Sequence, residues 1–324
     1  MAAVLGRLSL IWVDAIRIVG LPRSRPRLLF RSRMRSIPYI TVVVPTCLLL
    51  VSADSFGAEK RPVSGHIWRQ LVVEAEERAL PTKFIKVVPP DFVQFEFGDL
   101  RAFAAEYHLE EHRMALNRTL SFNAAGRILR PLDRLTHGEL ETLYHELFHA
   151  YMDYAANSRS STESGPLMAL ARKHQRCRYS VVLITPLVQR KTETEERYLS
   201  ERESWEALNE AWAVFIGWSV WNQLEVAESL GGSIMKPGKS REAWVHRLME
   251  ADQQGMLRGY YEPEDPAERS ITRKRFLAPG SRLTFNEIES LMEEALGYPS
   301  DLIQEVATAL SGRQRDLFSP QGCE

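Results

Sequence analysis

Cysteine is scarce, three in 324 residues, which excludes a scaffold built on disulfides. Cys47 falls in an apolar N-terminal stretch, so Cys177 and Cys323 are the two left to pair across an oxidising compartment or to stay free. A surplus of positive charge is missing as well. Basic and acidic residues number 41 and 42, but residues 1–58 hold eight arginines and only Asp14 and Asp54 as acids. That leaves 33 basic against 40 acidic residues in 59–324, a net charge of −7. Such a surface cannot displace counterions from phosphates, so nucleic-acid binding is excluded. After Gly65 there is no Gly/Ser linker, internal repeat or low-complexity tract. The expectation is therefore an extension over 1–58 followed by a single α+β domain over 59–324, with a strand-bearing front (59–135) and a helical part (136–324).

No apolar run reaches the roughly 20 residues of a membrane-spanning helix. The longest uncharged stretch, residues 37–53 (IPYITVVVPTCLLLVSA), follows Arg31, Arg33 and Arg35 and ends in small residues. This is the layout of a secretory signal peptide, with cleavage after Ala53 or Ala58, and Met34 just ahead of it is a candidate true start. The expected location is secreted or periplasmic. A membrane contact is expected only if the segment stays uncleaved as an anchor.

Along the domain, residues 66–79 read as a helix stopped by Pro81, and 84–88, 93–97 and 113–122 carry the β-branched and aromatic residues of strands. The next helix is announced by a capping box, Thr136 with Glu139. Leu140, Leu143, Tyr144, Leu147, Phe148 and Tyr151 then recur at helical spacing, predicting a helix over about 137–156. A second long helix is predicted from about 193 to 224, with Gly231 and Gly232 beyond it. Between them lies an Arg- and Ser-rich connection with a strand-like core at 179–188. Thr284 and Glu287 form another capping box for a helix to about 296, and Pro299 and Ser300 introduce a last one.

His145, Glu146 and His149 spell HELFH in the middle of the first capped helix. Histidines four apart project from one helix face and can reach one metal ion at roughly 2.0 to 2.1 Å each. Glu146 sits one residue round the helix, where it can take a proton from a water that the ion acidifies. A catalytic zinc site has three protein ligands and an open position, so a third ligand is expected downstream. Glu210, in ALNEAWAVFIG on the second long helix, is the candidate, with Glu206 one turn earlier and Glu203 before it as alternatives.

The HELFH helix followed by an Asn-Glu pair on a second helix resembles the gluzincin metallopeptidases, and most of all their compact minigluzincin type. The resemblance covers about 100 residues. It implies a zincin-like fold: a small, mostly antiparallel sheet packed on the active-site helix, then a glutamate helix and further C-terminal helices. It also implies one Zn2+ per chain held by His145, His149 and Glu210, Glu146 as general base, and Asn209 supporting the site by hydrogen bonding. Two features depart from the pattern. Where thermolysin-like chains carry a Ser-Asp pair one turn past the glutamate, this chain has Ala213 and Val214. Sixty residues separate His149 from Glu210, several times the family's usual spacing, so 157–192 is expected to loop out as an insertion.

Asp153, four residues past His149, reads either as a support to the site or as a solvated acid, and His112 precedes the strand leading to the helix. His246, Tyr260 and Tyr261 are candidate donors to a developing oxyanion. Together these residues imply an exported zinc metallopeptidase acting on peptides or proteins. The alternative is a catalytically silent zincin-like scaffold, in which the glutamate between the histidines tends to be lost; here Glu146 is present.

Overall fold

In the computed structural model, which describes residues 64–101, 103–123, 128–158, 165–185 and 194–311, the first element is α1 (Ser64–Glu77). The stretch 37–53, Met34 and Cys323 lie outside the described residues. Residues Arg61–Glu324 form one compact unit, in which small sheets accompany a larger number of helices. Among the described residues no helix is long and apolar enough to cross a membrane.

Residues 84–88, expected as a strand, instead form the short helix α2 (Lys83–Val87). The reason is tertiary. Phe84 and Ile85 are both fully buried, and the Phe84 ring meets Tyr144, Phe148 and Tyr151 edge-on at centroid distances of 6.2, 5.7 and 6.0 Å. A strand would send these neighbours to opposite faces, so packing overrides a weak β preference.

Three strands follow: β1 (Gln94–Gly98), β2 (Ala105–His108) and β3 (Arg113–Asn117). Their order is β1-β3-β2, with β1 parallel and β2 antiparallel to β3. This sheet is therefore mixed rather than mostly antiparallel. The tight turn Leu109–Glu111, ending on His112 in the left-handed region (φ 47°), makes β2 and β3 a hairpin, and β1 takes the far edge of β3. β2 is left as an edge strand.

The central helix α3 (His137–Asn157) starts where its capping box places it. The Thr136 hydroxyl accepts from the Glu139 amide, and the Glu139 carboxylate accepts from the Thr136 amide at 2.7 Å. It is buried on several sides at once, against α2, β2 and a second long helix. The segment expected to loop out does not do so throughout. Residues Gly165–Cys177 form α4, whose Leu167, Met168, Ala171 and His174 are buried at helical spacing. Cys177, the last residue of α4, is disulfide-bonded. Then β4 (Val181–Ile184) pairs antiparallel with β5 (Glu195–Tyr198).

Because 195–198 is held as a strand, the glutamate-bearing helix α5 (Glu201–Leu230) begins later than 193 and runs past 224. Its start is another capping box, Ser200 with Glu203, and its end is Gly231 at φ 71°. α3 and α5 pack closely because of Gly217, where a Cβ would lie 2.7 Å from the Glu141 carbonyl oxygen and 3.4 Å from the His145 Cβ. After α5 come α6 (Lys239–Gln253), β6 (Tyr260–Tyr261), α7 (Pro266–Ile271), β7 (Arg275–Phe276), α8 (Phe285–Ser290) and α9 (Ser300–Leu310), with a π-helical turn over Leu291–Leu296.

Glu287, the capping-box residue of α8, is fully buried and ties the helical part together. It accepts from the Tyr179 hydroxyl and the Trp212 indole at 3.0 Å each and faces Arg178 and His174 at 3.2 and 3.3 Å. Burial opposes its charge, but Arg178 and His174 hold its carboxyl far below the usual range. Through Trp212 this node fixes the turn of α5 that carries Glu210.

Candidate metal centre

His145 and His149 project from α3 toward α5, their Nε2 atoms 3.0 Å apart. Glu210 comes from the facing helix and puts one oxygen 3.3 Å from each, Oε2 by His145 and Oε1 by His149. In a tetrahedral zinc site with bonds of roughly 2.0 to 2.1 Å, donors lie about 3.3 Å from one another. The Glu210 Oε2 is buried and has no hydrogen-bond partner among the described residues. Two imidazole nitrogens and a shielded carboxylate oxygen thus converge at zinc spacing, and the donor set fits that ion.

Burial alone would lower His149, but the Glu210 carboxylate, helped by Glu146 and Asn209, reverses this and raises the imidazole to about 9. Glu210 is driven strongly the other way: burial pushes it up, and the two histidines more than undo that. Asn209 is buried beside His149, and among the described residues its Oδ1 has no other hydrogen-bond partner.

Glu146 lies beside both histidines and also reaches the sheet. Its Oε2 accepts the backbone N–H of Tyr107 in β2 at 2.8 Å. Burial raises its carboxyl above the ordinary range, with Glu210 adding to the effect and the histidines and the Tyr107 amide opposing it.

The rival third ligands are otherwise engaged. Glu203 closes the capping box of α5 and accepts the Glu264 amide at 2.8 Å. Glu206 interacts with the Glu262 backbone N–H, and burial raises its carboxyl to about 7. Among the described residues a Glu146 oxygen also lies within 4.8 Å of ligand atoms of both histidines, but Glu210 sets an oxygen 3.3 Å from each.

Asp153 is not a solvated acid. Its side chain is 4% exposed and accepts the Tyr107 hydroxyl at 2.6 Å and an Asn157 amide N–H at 2.7 Å, and it meets His112 Nδ1 at 2.7 Å. Little at residue 153 signals this, because apart from Asn157 its partners come from β2 and the turn beside it. β2 is thereby clamped to α3 twice, through the Tyr107 amide at Glu146 and the Tyr107 hydroxyl at Asp153.

Of the three candidate oxyanion donors, one reaches the site. His246 lies on α6 with its side chain 71% exposed. Tyr261 is buried among Glu203, Arg197 and Glu268. Tyr260 borders Glu210 and Glu146, and burial followed by these carboxylates pushes its phenol far above the ordinary range. Gly259 makes this possible: a Cβ there would lie 2.5 Å from the Ala211 nitrogen, so only glycine lets the hairpin formed by β6 and its antiparallel partner β7 lie against α5. A second histidine–carboxylate group, His137 with Glu225 and Glu228, occupies the other end of α3. It is more open and already paired internally, His137 to Glu225 at 2.7 Å.

No protein-family model, curated protein or solved structure matches the chain.

Proposed function

We propose that the chain is an exported, zinc-dependent peptidase of the gluzincin kind, with a zincin-like fold. The convergence of His145, His149 and Glu210 beside a separately held Glu146 carries this function. His145, His149 and Glu210 would hold the zinc ion, and when bound it would supply Lewis acidity to a scissile carbonyl and lower the pKa of a water from 15.7 toward about 7.

The chain's own residues do the rest. Glu146 is the general base: one carboxylate oxygen is fixed by the Tyr107 N–H, leaving the other to take the proton of the attacking water. Its raised pKa suits a group that must then return that proton to the leaving amine. The Tyr260 phenol, held protonated, donates to the oxygen on which charge develops. β2 is an edge strand, and an extended peptide would pair with the backbone groups of that edge other than the Tyr107 N–H, which Glu146 holds.

The test is a mass-spectrometric cleavage profile of a broad peptide library with the zinc-loaded chain, with and without a chelator. Cleavage abolished by the chelator and restored by zinc is the expected result. A profile no different from the chelated control would favour a scaffold that keeps the metal for stability.

A further inference from the structure

The β6–β7 hairpin carries three basic residues in a row, and two of them are satisfied locally. Arg273 pairs with Glu262 at 2.6 Å. Arg275 is fully buried and donates to the backbone carbonyls of Thr272 and Glu268, the latter at 2.9 Å. Lys274, between them and half-buried, has no ion pair or hydrogen bond among the described residues. Its ammonium instead lies 3.9 Å from the centroid of the Tyr260 ring and 6.0 Å from that of Phe103.

Those two rings come from different elements that flank the metal centre. Tyr260 lies on the α5 side beside Glu210. Phe103 lies two residues before β2, the strand that holds Glu146, and is itself 49% exposed. A cation on aromatic faces keeps its charge and its N–H donors available, whereas one in an ion pair does not. The carboxyls of Glu210, Glu146 and Glu206 also act on Tyr260. Lys274 is the ammonium that stands on the same ring.

We propose that Lys274 is a specificity-determining residue that receives a carboxylate of the bound peptide. The carboxylate is either the peptide's C-terminus or an Asp or Glu side chain. This rests on the peptidase reading for the nature of the ligand, and the test is arranged so that the two can fail separately.

The probes are three randomised hexapeptide pools built from uncharged residues and labelled at the N-terminus with an uncharged fluorophore. One pool ends in a free carboxylate, one in an amide, and one in an amide with a single Glu at varied position. Binding is read by fluorescence anisotropy on the full, zinc-loaded chain carrying Glu146→Gln, so that no probe is consumed. A charge-assisted contact predicts that the free-acid pool, the Glu pool or both bind roughly tenfold more tightly than the neutral pool. Lys274→Met should bring the ratio to about one with unchanged zinc content and unchanged binding of the neutral pool, and Lys274→Arg should retain much of the preference. A preference for the first pool alone identifies the C-terminal carboxylate, and one for the third alone an acidic side chain. Equal binding of all three pools, absence of binding, or a preference that survives Lys274→Met overturns the proposal. A wild-type chain that shows the preference but cleaves nothing would sink the peptidase reading and leave this one standing.

Discussion

Glu146→Gln should leave zinc binding and folding nearly unchanged and reduce peptide hydrolysis by roughly 10² to 10⁴-fold, the usual worth of a general base. Glutamine has the same shape, and its amide oxygen can still accept the Tyr107 N–H that now reaches Oε2 at 2.8 Å. The clamp between β2 and α3 is therefore kept, and a buried carboxyl that burial already disfavours as an anion is replaced by a neutral group. What is lost is the capacity to take and return a proton. The comparison needs both proteins loaded with zinc and assayed on the same peptides. Equal rates would remove Glu146 from the chemistry even if the metal site stood.

Glu210→Gln is expected to weaken zinc retention by more than the roughly 10 to 100-fold that losing a merely supporting residue costs, and Glu206→Gln to change it little. The difference follows from position. Glu210 places an oxygen 3.3 Å from each histidine Nε2, and it is what holds His149 at about 9. Glu206, one turn away, interacts with the Glu262 backbone N–H instead. Competition with a chromophoric chelator measures both variants on one scale, and the reverse order would give the ligand role to Glu206.

The parts of this molecule legible in the sequence are those set by local spacing. Thr136 and Glu139 start α3 within one residue of the expected position, and the i, i+4 histidines face one way because they share that helix. The Asn-Glu pair on the second long helix pointed to Glu210, which the fold brings to both histidines. What escaped depends on distant partners. β2 is four residues long, and AEYH becomes a strand only by pairing with β3. Residues 84–88 have a strand's composition and become α2 because Phe84 must reach three rings on α3. The second long helix is expected from about 193 and starts instead at Glu201, because the charged run ahead of it looks helical until β4 claims it as a partner. Asp153 and Tyr260 acquire their surroundings from elements 40 or more residues away in the chain, and no periodicity near either residue reports that.

The most direct measurement is a calorimetric zinc titration of the metal-free chain across pH 6 to 9. Two histidines and one glutamate set at zinc spacing predict one ion per chain. The sign of the pH dependence follows from His149, raised to about 9 by Glu210: below that pH it carries a proton that must leave before its nitrogen can bind metal. Affinity should therefore tighten as pH rises toward 9, with proton release on binding at pH 7. A folded chain that takes up less than half an equivalent of zinc, or binds it with an affinity indifferent to pH over this range, would contradict the assignment of His145, His149 and Glu210 as a metal centre.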